Sequence, residues 1–532
     1  MEDETSNHST TTADPEASVS FQNSSTLPAK NGKKLLRVET VPDIKRDTSG
    51  ITTQYIASGI VNLGSFAAGV CVSWSSATLP LITQVPEIAY LHNEGHTITN
   101  TTSHHRLQIT EHEASWAASL LCIGAVWGAI PAGLISEYFG RKKTLLYLAL
   151  PLLVSWLLIA SSPNVYGLYV GRFVGGVAVG AFSVAIPPYV ADIAEPQIMG
   201  ALANFYHVMF SGGILFGYII GMVQSASWIS VLCTSLPVAF FVAFLFLPES
   251  PTYLMSQGKS NEAKTALRYF RGIDNDINEE IKQLKEYLRT YARNKVTFNQ
   301  LFKNRATIKA FVVSFGLMIF QQMSGIFPIL FYAERIFKTF SLSMNPPGAA
   351  IILGFCFVSS TYFSTMLLSI IRRRILLILS FIFMALSVGS LAVFYNLKAP
   401  NLSSNTWIPL FTLCTFVSTY AAGVGPIPWL MLREIFPSNV TRRATAITAG
   451  FHWFLAFLVT KLYQNMVDQI KPGWVLSYFA ITSLFGALFV YFLVPETKDK
   501  SLQEIQDEFK GIHKRKKHTH IIEVESISDV VV

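Results

Sequence analysis

Charge is scarce in this chain: 14% of its 532 residues are Asp, Glu, Lys or Arg and 51% are hydrophobic, against about 25% charged in an ordinary soluble domain. That scarcity excludes a globule solvated by water alone. Cysteine is scarce too, five residues at wide spacings and mostly inside apolar runs, which excludes a disulfide framework and a zinc site. The first fifty residues lack the apolar stretch of a cleavable signal peptide, carrying Ser, Thr and the Lys30, Lys33, Lys34, Arg37 cluster in its place, so the N-terminus is expected to stay in the cytosol. No nucleophile constellation, metal cluster or phosphate-cradling loop is present, so catalysis, metal and cofactor are not expected. Gly171 to Gly180 reads as small-residue helix packing. The net charge of +8 resides in short polar loops and offers no basic face to nucleic acid.

What the chain has in quantity is apolar length. Runs of the ~20 residues that cross a hydrocarbon core recur near 54–84, 114–136, 144–161, 166–190, 200–222, 227–247, 307–336, 347–370, 374–395, 406–432, 443–464 and 472–494. They predict an all-α membrane protein of twelve transmembrane helices in two groups of six, set in a lipid bilayer. The expected organisation is a polar tail at 1–52, a six-helix bundle at 53–247, a helical linker at 248–306, a second bundle at 307–494 and a tail at 495–532. Arg141-Lys142-Lys143, Arg372 to Arg374, Arg442-Arg443 and His513 to Lys517 fall on one side. The excess of basic residues makes that side, and with it both termini, cytosolic in the plasma membrane.

In the same topology Asn100-Thr101-Thr102 and Asn401-Leu402-Ser403 are outward-facing glycosylation sequons, with Asn100 and Asn401 as acceptors. The first outer loop carries His92, His96, His104, His105 and His112 with Glu94, Glu111 and Glu113. Their irregular spacing favours a solvated, unliganded loop over a metal or pH-sensing site.

The two halves share punctuation. Gly140-Arg141-Lys142-Lys143 is answered by Arg372-Arg373-Arg374, and Pro248-Glu249-Ser250-Pro251 by Pro495-Glu496-Thr497-Lys498. Such a duplication between membrane spans predicts two bundles that rock about a central site, the requirement for alternating access.

With Gly171-Arg172, Pro188-Tyr189, Gln321-Gln322-Met323-Ser324-Gly325, Gly425-Pro426-Ile427-Pro428-Trp429 and Glu434-Ile435-Phe436-Pro437, the chain resembles the sugar porter family of the major facilitator superfamily from about residue 50 to 510. Ser115-Trp116 and Thr460-Lys461 are similar to the insect facilitated trehalose transporters within that family. The resemblance implies a facilitative carrier whose substrate is a sugar, trehalose or a hexose, with no protein partner specified.

A hydroxyl-rich substrate exchanges water for amides, hydroxyls and aromatic faces. Gln321 and Gln322 supply amides inside an apolar run, where they either line a cavity or bond neighbouring helices. The resemblance favours substrate contact by this pair and gives Trp429 the part of an aromatic platform. It implies ion pairs closing the cytosolic side at Glu137, Arg141, Asp192, Glu249, Arg373, Glu434 and Glu496. His207, His452 and Phe327 complete the expected substrate-binding set, and they fall among several altered family polar positions: Phe327 and Phe357 stand at Asn positions, Ala421 at an acidic or polar one, His207 at a Gln and His452 at an Asn. Met199 and Thr441 replace Arg, with Arg442 following. Cys71 stands about where proton-coupled relatives have Asp, and the first span holds no acid, which favours facilitated diffusion. The altered positions leave two alternatives open, a non-transporting nutrient sensor on a carrier scaffold and a carrier of a less hydroxylated solute.

Overall fold

Among the described residues, twelve helices are long and apolar enough to cross a membrane. Spans one to six run over Gly50–Ile82, Glu111–Tyr138, Arg141–Ser161, Val165–Ile193, Met199–Gly221 and Ala226–Leu245. Spans seven to twelve run over Arg305–Phe331, Pro346–Ile370, Arg373–Asn396, Ile408–Ile435, Asn439–Ile470 and Pro472–Leu493. The computed structural model of the chain describes residues 48–83, 107–272, 276–293, 305–339, 344–397 and 407–510. Asn100, Asn401 and the loop histidines before residue 107 lie outside the described residues. Helical hydrogen bonding within the spans satisfies most of their backbone, as a lipid environment demands. Large apolar side chains such as Trp127, Leu150, Phe363 and Phe492 are exposed around the perimeter, the surface a bilayer would solvate.

Polar residues decide where the helices begin. Thr110 and Glu113 close a capping box at the start of span two, and Asn164 accepts from the Gly167 N–H at 3.0 Å at the start of span four. Among the described residues of the linker lie three further helices, Pro251–Ser256, Ser260–Arg271 and Asn278–Arg293, where Leu254, Ala263, Leu267 and Ile281 form a small core of their own.

Spans two and four approach through two glycine pairs four residues apart, Gly124 with Gly128 and Gly176 with Gly180. A Cβ at Gly180 would stand 2.0 Å from the Ala125 carbonyl oxygen, and one at Gly128 1.9 Å from that of Val177. Backbone this close admits no side chain. Gly180→Val is therefore expected to cost about 3 kcal/mol or more and to abolish the monodisperse peak of the detergent-solubilised protein in size-exclusion chromatography, whereas Gly200→Ala, with open space around it, leaves the peak unchanged.

Between the two halves the main contacts are span two with span eleven and span five with span eight. The short loops with Arg141 to Lys143 and Arg372 to Arg374 lie at one end of the bundle, called the basic end below.

Candidate functional site

The repeated glutamates have matching tasks at the basic end. Glu249 accepts the Lys142 N–H at 2.8 Å, and Glu496 accepts those of Arg373 and Arg374, both at 3.2 Å. Each thus places a carboxylate at the N-terminus of the span that follows the basic loop, span three or span nine, where four backbone N–H groups lack helical partners. Beside them, Arg141 stands 3.5 Å from Asp192, and Arg373 2.9 Å from Glu434. Ser250 also donates to Asp192 at 2.6 Å.

These pairs join elements within one half. At this end an ion pair between the halves joins Glu137 to Arg442 at 3.1 Å, with the Arg442 guanidinium 5.0 Å above the Tyr291 ring of the linker. Both partners are about one-third exposed, so the pair contributes roughly 0–1 kcal/mol. Arg442→Gln is expected to shift the balance between forms open and closed at the basic end by no more than about fivefold, read as the labelling rate of a cysteine placed beside Glu137.

At the opposite end the halves meet through unlike contacts. Glu111 pairs with Arg335, the Lys461 ammonium lies 4.2 Å over the Trp116 ring, and Tyr218 donates to the Leu330 carbonyl at 2.8 Å. Of the first-loop candidates in the described residues, Glu111 and Glu113 are thus engaged in an ion pair between the halves and a helix cap. His112 meets Trp116 edge-on at 6.5 Å.

A cavity of about 450 Å³ lies between the halves and extends to the basic end, where Arg141, Asp192 and Arg442 line it. Its deeper wall holds His207 of span five, Phe327 of span seven, Trp429 of span ten and His452 of span eleven, so the structure brings four of the six proposed substrate residues to one space. Phe357, Ala421, Met199 and Thr441 line it too. Positions where the chain departs from the family pattern are thus concentrated on this wall.

Gln321 and Gln322 stand one layer behind it, fully buried. The local sequence explains this. Span seven breaks after Met323, where Gly325 takes φ 88°, a conformation open to glycine at little cost; a Cβ there would also meet the Phe479 ring at 2.4 Å. Span ten contains a π-turn over Tyr420–Val424 followed by Pro426 and Pro428. Proline has no N–H for the carbonyl four residues back, which frees the carbonyls of Ala422 and Val424. Gln321 Nε2 donates to Val424 at 2.7 Å and to Gly425 at 3.1 Å, and Ser364 of span eight donates to Ala422 at 3.2 Å. Gln321 therefore holds the broken span ten together.

Gln322 has another partner. Its Nε2 lies 3.0 Å from the His452 ring nitrogens, and His452 is boxed by Trp429, Trp453 and Phe327 at ring-centroid distances of 5.0, 5.4 and 5.8 Å. The Oε1 atoms of both glutamines are buried without a protein hydrogen bond. Trp453 lines the cavity and donates to Ser183 Oγ of the other half at 3.3 Å. The wall thus offers aromatic faces and an imidazole backed by an amide, the chemistry that accepts a ring bearing hydroxyls.

Sequence reasoning missed the bridging role of Arg442 and the presence of Arg433 on the cavity wall. The cue for the first was present, a basic residue displaced by one position from the motif; for Arg433 there was none beyond a charge adjoining Glu434.

A family model described as "Sugar (and other) transporter" matches residues 54–509. A facilitated trehalose transporter Tret1 of Bombyx mori is 35% identical over 460 residues, covering 85% of this chain and 86% of its own. The Tret1 protein of Apis mellifera ligustica is 31% identical over 487 residues, covering 91% and 93%. Among solved structures, the proton:xylose symporter XylE bound to 6-bromo-6-deoxy-D-glucose is similar with a TM-score of 0.69 at 23% identity, covering 86% of this chain and 100% of that one. A partially occluded, inward-open form of XylE from E. coli gives a TM-score of 0.68 at the same identity, over 85% and 100%.

Proposed function

Because the chain belongs to the sugar transporter family, whose members are carriers and not enzymes, we propose that it moves trehalose or a hexose across the plasma membrane by facilitated diffusion. The observation that carries this reading is the cavity between the halves, open toward the basic end and walled by His207, Phe327, Trp429 and His452. In this reading the basic end and both termini are cytosolic, Asn100 and Asn401 face outward, and the structure is an inward-facing form closed by Glu111–Arg335 and Lys461–Trp116. Opening the outer contacts while closing Glu137 onto Arg442 more tightly would expose the same cavity to the other side. The sensor and the carrier of a less hydroxylated solute are not favoured, since the relatives named above are sugar carriers.

Uniport is supported by the surroundings of Arg172 in span four. This fully buried guanidinium donates to the Cys71 carbonyl at 2.7 Å, to Ser75 Oγ at 2.7 Å and to the Ala117 carbonyl at 3.0 Å, over the Trp74 ring at 4.9 Å. No carboxylate is among these partners, so no acid there gains and loses a proton with the cycle.

The test is uptake of labelled trehalose, glucose and fructose by cells expressing the chain, with and without a pH gradient. Saturable uptake that a gradient does not drive above equilibrium is expected. A surface-expressed protein that moves none of the three sugars would sink the reading.

A further inference from the structure

A second pocket, of about 430 Å³, opens at the basic end of the second half, between the loop joining spans eight and nine, the end of span ten and the segment after span twelve. Four cationic side chains line it, Arg373, Arg433, Lys498 and Lys500, against two acids, Glu434 and Asp499. Its polar groups are incompletely satisfied. Thr497 is 3% exposed, and its hydroxyl has no hydrogen-bond partner. Arg373 gives Nε to Glu434, yet its buried Nη1 has no partner, nor has Glu434 Oε2. Buried polar atoms are rarely left this way in a native structure, and three in one pocket call for a ligand. Arg433 makes no hydrogen bond or ion pair among the described residues, and it lines the central cavity as well.

These requirements fix a chemistry. Arg373 Nη1 and Arg433 need a charged acceptor with several oxygens, a site that guanidinium groups fit well. Glu434 Oε2 would repel a bare anion and needs a hydroxyl that donates to it; the Thr497 hydroxyl serves either side. Lys500 is paired with Glu508 at 2.7 Å, and the remaining excess of positive charge among the lining groups suits an anion. We propose that this pocket binds a phosphate monoester that also carries free hydroxyls, as a sugar phosphate does. It is separate from the wall formed by His452 and Trp429, and it lies on the side assigned to the cytosol above. Its ligand would fasten the span-ten end to the segment after span twelve, beside the mouth of the central cavity.

The soluble source and a lipid source of the same group are separable. Purified full-length protein in phosphatidylcholine nanodiscs would be titrated calorimetrically with glucose 6-phosphate, with glucose and with inorganic phosphate. A second set of discs would contain phosphatidic acid. Saturable binding of glucose 6-phosphate, undisplaced by excess glucose, is expected to weaken at least tenfold in Arg433→Gln and in the near-isosteric Thr497→Val, both checked for parental elution and melting without ligand. If phosphatidic acid alone blocks that binding and the same variants relieve the block, the lipid headgroup also occupies the pocket. Equal affinity for inorganic phosphate would overturn the hydroxyl requirement. Absence of binding, or binding unchanged in folded variants, would overturn the site itself. Because the readout is binding to purified protein, a failed sugar-uptake experiment leaves this test intact.

Discussion

Gln322→Ala is expected to lower kcat/KM for sugar uptake by about ten- to a hundredfold while surface expression is retained. The amide is fully buried, and its Nε2 is 3.0 Å from the His452 ring that lines the cavity. Alanine removes that partner and leaves a ring nitrogen in a dry aromatic box, a loss of roughly 1–3 kcal/mol for a buried polar group deprived of its hydrogen bond. It also deletes the Oε1 that has no protein hydrogen bond. Losing an interaction made in the transport transition state appears in kcat/KM, and a loss confined to KM would indicate uniform binding. His452→Ala is expected to cost a similar factor, and the double variant little more than either single one, because residues of one hydrogen-bonded unit are non-additive. If Gln322→Ala leaves both affinity and flux unchanged, the assignment of this wall to substrate fails.

That wall was only partly legible in the sequence. The spans were readable because hydrocarbon thickness dictates a run of about 20 apolar residues, and the twelve runs match the twelve helices. Their ends were not, since a helix continues past the hydrocarbon wherever polar residues keep its geometry. Span eleven extends over Asn439–Ile470, beyond the apolar stretch at 443–464. Gln321 and Gln322 were legible as a costly polar pair, yet their division of labour depends on partners more than a hundred residues away. Half of that division could have been reasoned out, because Pro428 in a helix announces a free carbonyl at Val424 and some donor must meet it. The link from Gln322 to His452 had no comparable cue. The charged loops were legible as a duplication, but Glu249 and Glu496 act by accepting the first backbone N–H groups of spans three and nine, which residue type alone does not reveal. Glu137 pairs across the halves with a residue 305 positions later, and only the folded chain brings the two together.

Glu334 was misplaced by the sequence, which set it inside the apolar run at 307–336 where the structure ends the span at Phe331 and starts a separate short helix, and it carries the second large effect. It is 6% exposed on the short helix after span seven, at the end opposite the basic loops. Its backbone N–H donates to Ser76 Oγ at 3.0 Å, and its Oε1 has no partner. The charged groups nearby are otherwise occupied: Arg335 pairs with Glu111, and the Tyr218 hydroxyl donates to Leu330. Burial without a cation raises the carboxyl from 4.5 to about 7. If this end opens, water returns the group toward its ordinary value, so the closed form holds a proton that the open form releases. The preference for the closed form is therefore complete below about pH 4.5 and falls by up to tenfold per pH unit as the pH rises toward 7. Above 7 both forms are ionised and the ratio is level. The whole excursion, from 4.5 to about 7, is roughly 300-fold, or about 3.4 kcal/mol at 1.36 kcal/mol per unit. Glu334→Gln cannot ionise and is expected to hold the closed fraction at its acid plateau at every pH. Labelling of a cysteine placed beside the Trp116–Lys461 contact, followed from pH 5 to 8, measures this directly. A slope that persists in Glu334→Gln would assign the proton to another group.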